Sequence, residues 1–157
     1  MMALDPGAQI PDVTLTMPDG GPVRLRNFVG APFVLYFYPK DDTSGCTREA
    51  QEFSARLDAF KEAGAVLLGV SKDKPAKHQK FIEKYDLAVP LASDEEGVAL
   101  AAFGTWVEKS MYGRTYMGID RSTFLFDADG KLVRAWRKVR VPGHVEEVLE
   151  AVRALAR

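Results

Sequence analysis

Phe33-Val34-Leu35-Tyr36-Phe37-Tyr38-Pro39-Lys40-Asp41-Asp42-Thr43-Ser44-Gly45-Cys46-Thr47-Arg48-Glu49 is the stretch on which the reading of this chain turns. Residues 33–38 are aromatic or aliphatic without a break and too few for a helix, so they predict a buried strand. Pro39 ends that strand, and Asp41 to Gly45 is turn chemistry. From Cys46 the spacing changes: Ala50, Phe53, Leu57 and Phe60 recur at helical intervals with charged residues between them. The single cysteine of the sequence therefore falls in the first turn of a helix. Unpaired backbone N–H groups and the helix dipole favour an anion there, and the anion is the nucleophilic form of a thiol. Position alone leaves a second reading open, in which Cys46 is a small buried hydrophobe without chemistry.

Working outward, Val13, Leu15 and Met17 alternate with polar residues, and Pro18-Asp19-Gly20-Gly21 is a strong turn returning through Val23 and Leu25. An N-terminal β-hairpin is expected. After the cysteine helix, with Gly64 at its C′ position, Ala65 to Ser71 is a second wholly apolar run. Strand, helix of about four turns and strand make a βαβ unit with parallel pairing and a right-handed crossover. Pro75 opens a helix along Phe81, Ile82 and Tyr85 that ends near Asp86. Ser93-Asp94-Glu95-Glu96 reads as a capping box, with Ser93 as N-cap of a short helix running to Gly104. Trp106 to Asp120 lacks clean periodicity and reads as a long loop with some extended structure. Ser122–Asp127, the turn at Asp127-Ala128-Asp129-Gly130 and the run Leu132–Val139 form a hairpin. Pro142 and Gly143 open a last helix with Val145, Val148, Leu149, Val152 and Leu155 on one face.

This order predicts a thioredoxin-like α/β fold over residues 1–157 as a single domain, with a mixed central β-sheet and helices on both faces. At 157 residues, 46% of them hydrophobic, the chain is of single-domain size and can bury a sizeable core. A net charge of −1 with acids and bases interspersed gives no footprint for nucleic acid or a membrane surface. Met1 to Pro6 has neither a basic nor an apolar signal region, no apolar run approaches a membrane span, and a lone cysteine suits a reducing cytoplasm. His78 and His144 lie far apart in sequence without a cysteine cluster, which argues against zinc. Neither is assigned a role, and both are expected on helices.

Pro39, Thr43 and Cys46 stand in the pattern P-x-x-x-T-x-x-C, which resembles the peroxidatic signature of the peroxiredoxins. Phe37 to Thr43, Gly45-Cys46-Thr47-x-Glu49, Gly69 to Asp73, Ser93-Asp94, Met111-Tyr112-Gly113 and Arg121 to Leu125 sharpen the likeness to the bacterioferritin-comigratory, or Q-type, subfamily. It covers nearly the whole chain. The resemblance implies reduction of hydrogen peroxide or organic hydroperoxides with no metal or organic cofactor. Cys46 would be the attacking thiolate and Arg121 a stabiliser of sulfur and peroxide. Thr43 would be a hydroxyl at the reacting atoms, and Pro39 a shield against water. On spacing alone, Thr43 is equally a helix N-cap and Arg121 a surface cation. Glu49 either orients an arginine or is a surface acid. Phe37, Tyr38, Phe53 and Trp106 read mostly as core, with some bordering the substrate entrance.

Two departures from the subfamily stand out. Ser44 replaces its usual proline before Gly-Cys. Gln51 occupies the position, five residues after the first cysteine, where many members carry a second, resolving one. The resemblance then implies a one-cysteine cycle closed by an external thiol such as thioredoxin, glutaredoxin or a small thiol, in a monomer or weak dimer. The same residues also suit a peroxide sensor or redox-regulated binding protein, or a binding module whose cysteine is inert.

Overall fold

The computed structural model describes residues 4–155, so Met1–Ala3, part of the stretch read as lacking a signal region, lie outside the described residues. The strand predicted first is the centre of the molecule. β3 (Phe33–Phe37) is buried at all five positions, parallel to β4 (Val66–Ser71) and antiparallel to β8 (Ser122–Phe126). Every residue of β3 is aliphatic or aromatic because neither face of this strand meets water. Val34, Tyr36 and Tyr38 enter one core layer and Phe33, Leu35 and Phe37 the other. Tyr38 still donates its backbone N–H to Val70, so pairing runs one residue past β3 before Pro39 ends it.

The full sheet has seven strands in the order β2-β1-β5-β4-β3-β8-β9. Its outer members are the N-terminal hairpin β1 (Thr14–Thr16) and β2 (Pro22–Arg24), β5 (Leu91–Ser93), and β9 (Leu132–Trp136). On one face lie α1 (Ser44–Ala55), α2 (Leu57–Glu62), α3 (Pro75–Tyr85) and α5 (His144–Leu155), bringing Phe53, Phe60, Phe81 and Val148 into one core. On the other lie a 3-10 turn (Leu25–Phe28) and α4 (Val98–Phe103), with Leu25, Leu100 and Phe103. This is the predicted mixed α/β sheet with helices on both faces. No helix among the described residues is long and apolar enough to cross a membrane.

Three local expectations are corrected. The single long helix after Cys46 is two helices, broken at Arg56 (φ −102°, ψ 5°). Apolar spacing continues across the break, which hid it. The second still ends as expected: Gly64 follows the C-cap, and Ala65 and Gly64 donate back to Phe60 and Lys61 in a Schellman arrangement. Ser93 is not an N-cap but the last residue of β5. Asp94 caps α4 instead, its carboxylate accepting from the N–H groups of Ala99 and Leu100. Trp106–Asp120 is not a loop but the hairpin β6 (Trp106–Met111) and β7 (Arg114–Ile119), turning at Tyr112 (φ 53°) and Gly113 (φ 77°). Trp106, read as core, is 41% exposed on that hairpin.

Candidate active site

The site is assembled by three neighbours at the carboxyl end of β3. Thr43, extended at φ −104° and ψ 156°, is the residue before α1, and Cys46 lies in the helix's first turn. Ser44 takes the first helical position, so the helix starts here without the proline usual in the subfamily. Because β8 runs antiparallel to β3 with Ser122 opposite Phe37, the residue before it, Arg121, is delivered to the same end of the sheet. Phe53 pins α1 down by stacking on Tyr36 at 4.5 Å. Gly69, opposite Tyr36 on β4, leaves the space this ring needs: a Cβ there would come within 2.5 Å of Tyr36 Cζ.

Arg121 carries the geometry. Its Nη2 donates to Cys46 Sγ at 3.3 Å and its Nη1 to Glu49 Oε1 at 2.7 Å. One guanidinium thus bridges two residues a helical turn apart, which a lysine could not do with the same fork. Gly45 gives it room, since a Cβ at that position would stand 3.2 Å from Nη2. Cys46 is 2% exposed, and Glu49 is fully buried. The surface-cation reading of Arg121 and the surface-acid reading of Glu49 are therefore excluded by burial and contact.

Glu49 is held neutral-leaning. Burial raises its carboxyl to about 7, against the opposing pull of the Arg121 guanidinium. Its Oε2 is buried without a hydrogen-bond partner. A carboxyl raised from 4.5 to about 7 holds more protons folded than unfolded between those pH values. Its contribution to stability is present below the unfolded value and lost as pH rises through about 7. Glu49→Gln removes that loss, so its melting temperature relative to wild type should rise between pH 5 and pH 8, by the equivalent of up to ~3 kcal/mol. Thermal melts at both pH values check this, and any constant packing cost cancels in the difference.

Thr43 and Pro39 are placed less tightly. Thr43 is at the N-cap position but its hydroxyl does not cap; it donates to the Lys40 carbonyl at 2.8 Å, leaving its lone pairs available. Pro39 is half-buried in the loop between β3 and α1. Gln51 lies exposed on α1. His78 is in α3 and His144 opens α5, the helices expected of them. Burial holds the His144 imidazole down at about 4, hence neutral, and it shares a hydrogen bond with Thr123 at 2.8 Å.

Residues 6–135 match the model of the AhpC/TSA family. The chain belongs to that family. Within it, the relatives are peroxiredoxins: the sequence is 44% identical over 155 residues to peroxiredoxin Bcp of Bacillus subtilis, covering 99% of both chains. It is 46% identical to peroxiredoxin Bcp of Xanthomonas campestris, covering 93% of this chain and 91% of that one. Among solved structures, a cysteine-to-serine mutant of Xylella fastidiosa PrxQ superposes with a TM-score of 0.94 at 37% identity over the whole of both chains. A second, of Xanthomonas campestris bacterioferritin comigratory protein, was solved in work on its alkyl peroxide reduction. It gives 0.90 at 43% identity over 98% of this chain and all of that one. The protein is thus a peroxiredoxin, an enzyme of the thiol-dependent peroxidase class.

Asp41 is the residue that sequence reasoning passed over. Read only as part of a turn, it is buried and bonded to Tyr38 and His78. Its one available signal was an acid next to the motif residues with no basic neighbour at helical spacing.

Proposed function

We propose that Cys46 is the reacting sulfur of a one-cysteine peroxidase, with Arg121, Thr43 and Pro39 as its site residues and an external thiol as reductant. The observation that carries the reading is the 3.3 Å contact from Arg121 Nη2 to Cys46 Sγ in the first turn of α1. A guanidinium and a helix N-terminus both bring positive charge to the reacting sulfur. The thiolate attacks one oxygen of hydrogen peroxide or an alkyl hydroperoxide in line with the O–O bond. The S–O bond forms, the O–O bond breaks with its electron pair leaving on the other oxygen, and that oxygen takes a proton to become water or alcohol. Sulfur is oxidised by two electrons to the sulfenic acid. Arg121 is placed to neutralise charge on the leaving oxygen as well as on sulfur, and Thr43 offers free lone pairs and a hydroxyl at the helix start. Pro39, half-buried in the loop between β3 and α1, has the proposed part of limiting water at the sulfur.

With one cysteine in the sequence, no internal disulfide can form. An external thiol displaces water from the sulfenic acid to give a mixed disulfide, and a second thiol releases reduced Cys46. Thioredoxin, glutaredoxin or a small thiol of a reducing cytoplasm fits this step. The test is intact-mass spectrometry after one equivalent of peroxide. One added oxygen and a dimedone adduct at Cys46 are expected, followed by return to the starting mass with excess thiol. Excess peroxide without thiol should add a second oxygen. Oxidised protein that gives no dimedone adduct, and passes its oxidation to no thiol, overturns the cycle.

A further inference from the structure

The loop from Pro39 to Gly45 is exposed at Lys40, Asp42, Thr43 and Ser44, yet Asp41 within it is 2% exposed. A carboxylate turned inward from a surface loop is costly unless its oxygens are satisfied. These are. Tyr38 OH donates to Oδ1 at 2.5 Å, and His78 Nδ1 lies 2.6 Å from Oδ2. The Asp41 backbone N–H donates to Asp73 Oδ2 at 2.8 Å, and Ser71 Oγ donates to that same oxygen at 2.7 Å.

The far side of His78 fixes where its hydrogens are. Nε2 faces the Ala92 carbonyl at 3.0 Å, and a carbonyl only accepts, so Nε2 carries a hydrogen. A second hydrogen lies between Nδ1 and Oδ2, because two bare acceptors would not approach to 2.6 Å. The pair is wholly buried and bridged by a proton. Asp41, Asp73 and His78 present donor atoms within 4.8 Å of one another, as a cation site would, but hydrogen bonds already engage them.

The contact joins two separate parts of the chain. His78 belongs to α3, whereas Asp41 lies two residues before Thr43 and five before Cys46. The next residue, Asp42, is held by the same helix: its carboxylate accepts from Lys84 Nζ at 2.9 Å and Tyr85 OH at 2.5 Å. Asp42 has φ 61°, a left-handed conformation for a non-glycine residue that these neighbours maintain. Of the two anchors the buried one dominates, since the Asp42 pair is exposed and screened. The Lys40 carbonyl, next to Asp41, accepts from Thr43 Oγ1, so a shift of Asp41 is passed directly to the Thr43 hydroxyl.

We propose that Asp41 and His78 are positioning residues for the reaction at Cys46, acting through the loop that carries Pro39 and Thr43. The inference rests on the reading of Cys46 as the reacting sulfur. In-line attack on a peroxide needs sulfur, hydroxyl and guanidinium aligned together, and a misplacement of about 1 Å can cost up to ~100-fold in rate.

Two substitutions at one position separate positioning from mere support. The amide nitrogen of His78→Asn takes the place of Nδ1 and keeps a donor to Asp41 while losing Ala92. That of His78→Gln takes the place of Nε2, keeping Ala92 and losing Asp41. Both remove the ring, so packing loss is shared. The second-order rate constant for peroxide should fall about tenfold or more in His78→Gln and less than about threefold in His78→Asn. Alkylation of Cys46 by neutral iodoacetamide, which needs the sulfur but not the alignment, should not fall with it. Asp41→Leu, of similar size and without a polar atom, removes the same contact from the other side if His78→Gln fails to fold, and should also lose about tenfold. A His78→Gln or Asp41→Leu variant as fast as wild type overturns the proposal. So do equal losses in Asn and Gln, or parallel losses in peroxide reaction and alkylation. A wild-type protein inert to peroxide would instead overturn the reading of Cys46 on which it rests.

Discussion

Cys46→Ser is expected to consume no peroxide above the uncatalysed rate in the presence of a thiol donor, a loss of at least ~1000-fold. A serine hydroxyl is far too weakly acidic to be an anion at neutral pH, and its oxygen cannot accept the peroxide oxygen as sulfur does. The fold should survive, because the site's support does not run through the sulfur. α1 is held by Phe53 on Tyr36, and Arg121 retains Glu49 as its partner at 2.7 Å. The variant also buries a hydroxyl where the thiol was 2% exposed, and Arg121 Nη2 can donate to it. A melting temperature within a few degrees of wild type, with no turnover, is the expected pair of results. Measurable steady-state peroxide consumption in this variant, with trace metal removed, would place the reacting group elsewhere.

What the sequence made legible follows from how each element announces itself. β3 is buried at every position and β4 at all but Val66, so their short apolar runs read as strands, and the helical stretch between them carried one period through both α1 and α2. The position of Cys46 in a first turn followed from those two periods without any structure. Arg121 was legible only through the resemblance, because the antiparallel register of β8 on β3 that brings it to Cys46 is a long-range fact. The hairpin β6–β7 escaped for a different reason. Glu108, Lys109, Ser110, Arg114 and Thr115 are solvated or nearly so on both of its faces, so neither strand shows apolar alternation. Its turn at Tyr112-Gly113, with both residues at positive φ, was the sign that remained. Ser93 was misplaced because Ser-x-x-Glu is a capping signal only when a helix follows at once. Here Gly97 intervenes and Asp94 reaches forward to Ala99 and Leu100 instead. The inward turn of Asp41 was hidden most completely, since its partner His78 lies 37 residues away.

Arg121→Ala should lower the rate constant of Cys46 with peroxide by ~100–1000-fold, the cost of removing one preorganised donor from a site where charge builds on oxygen. The loss has two components, and they are separable. The first is electrostatic: with Nη2 gone from 3.3 Å, nothing else among the described contacts donates to Sγ. The second is the fate of Glu49. Fully buried, it depends on Arg121 to offset its desolvation, so without the guanidinium its carboxyl is pushed further up and stays protonated at neutral pH. A protonated Glu49 adds no negative charge beside the sulfur, so the rate loss in Arg121→Ala is due to the missing donor and not to a stranded anion. Combining Arg121→Ala with Glu49→Gln tests that division. The double variant should recover stability at pH 8, where ionising a partnerless Glu49 would be most costly, and should recover little of the rate. Arg121→Lys restores one positive charge but not the fork, and should fall between wild type and alanine. Stopped-flow rates for peroxide and thermal melts, taken on the same samples, read both components. An Arg121→Ala variant within threefold of wild type would remove Arg121 from the chemistry, and full rescue of its rate by Glu49→Gln would assign the arginine the lesser task of neutralising a buried acid.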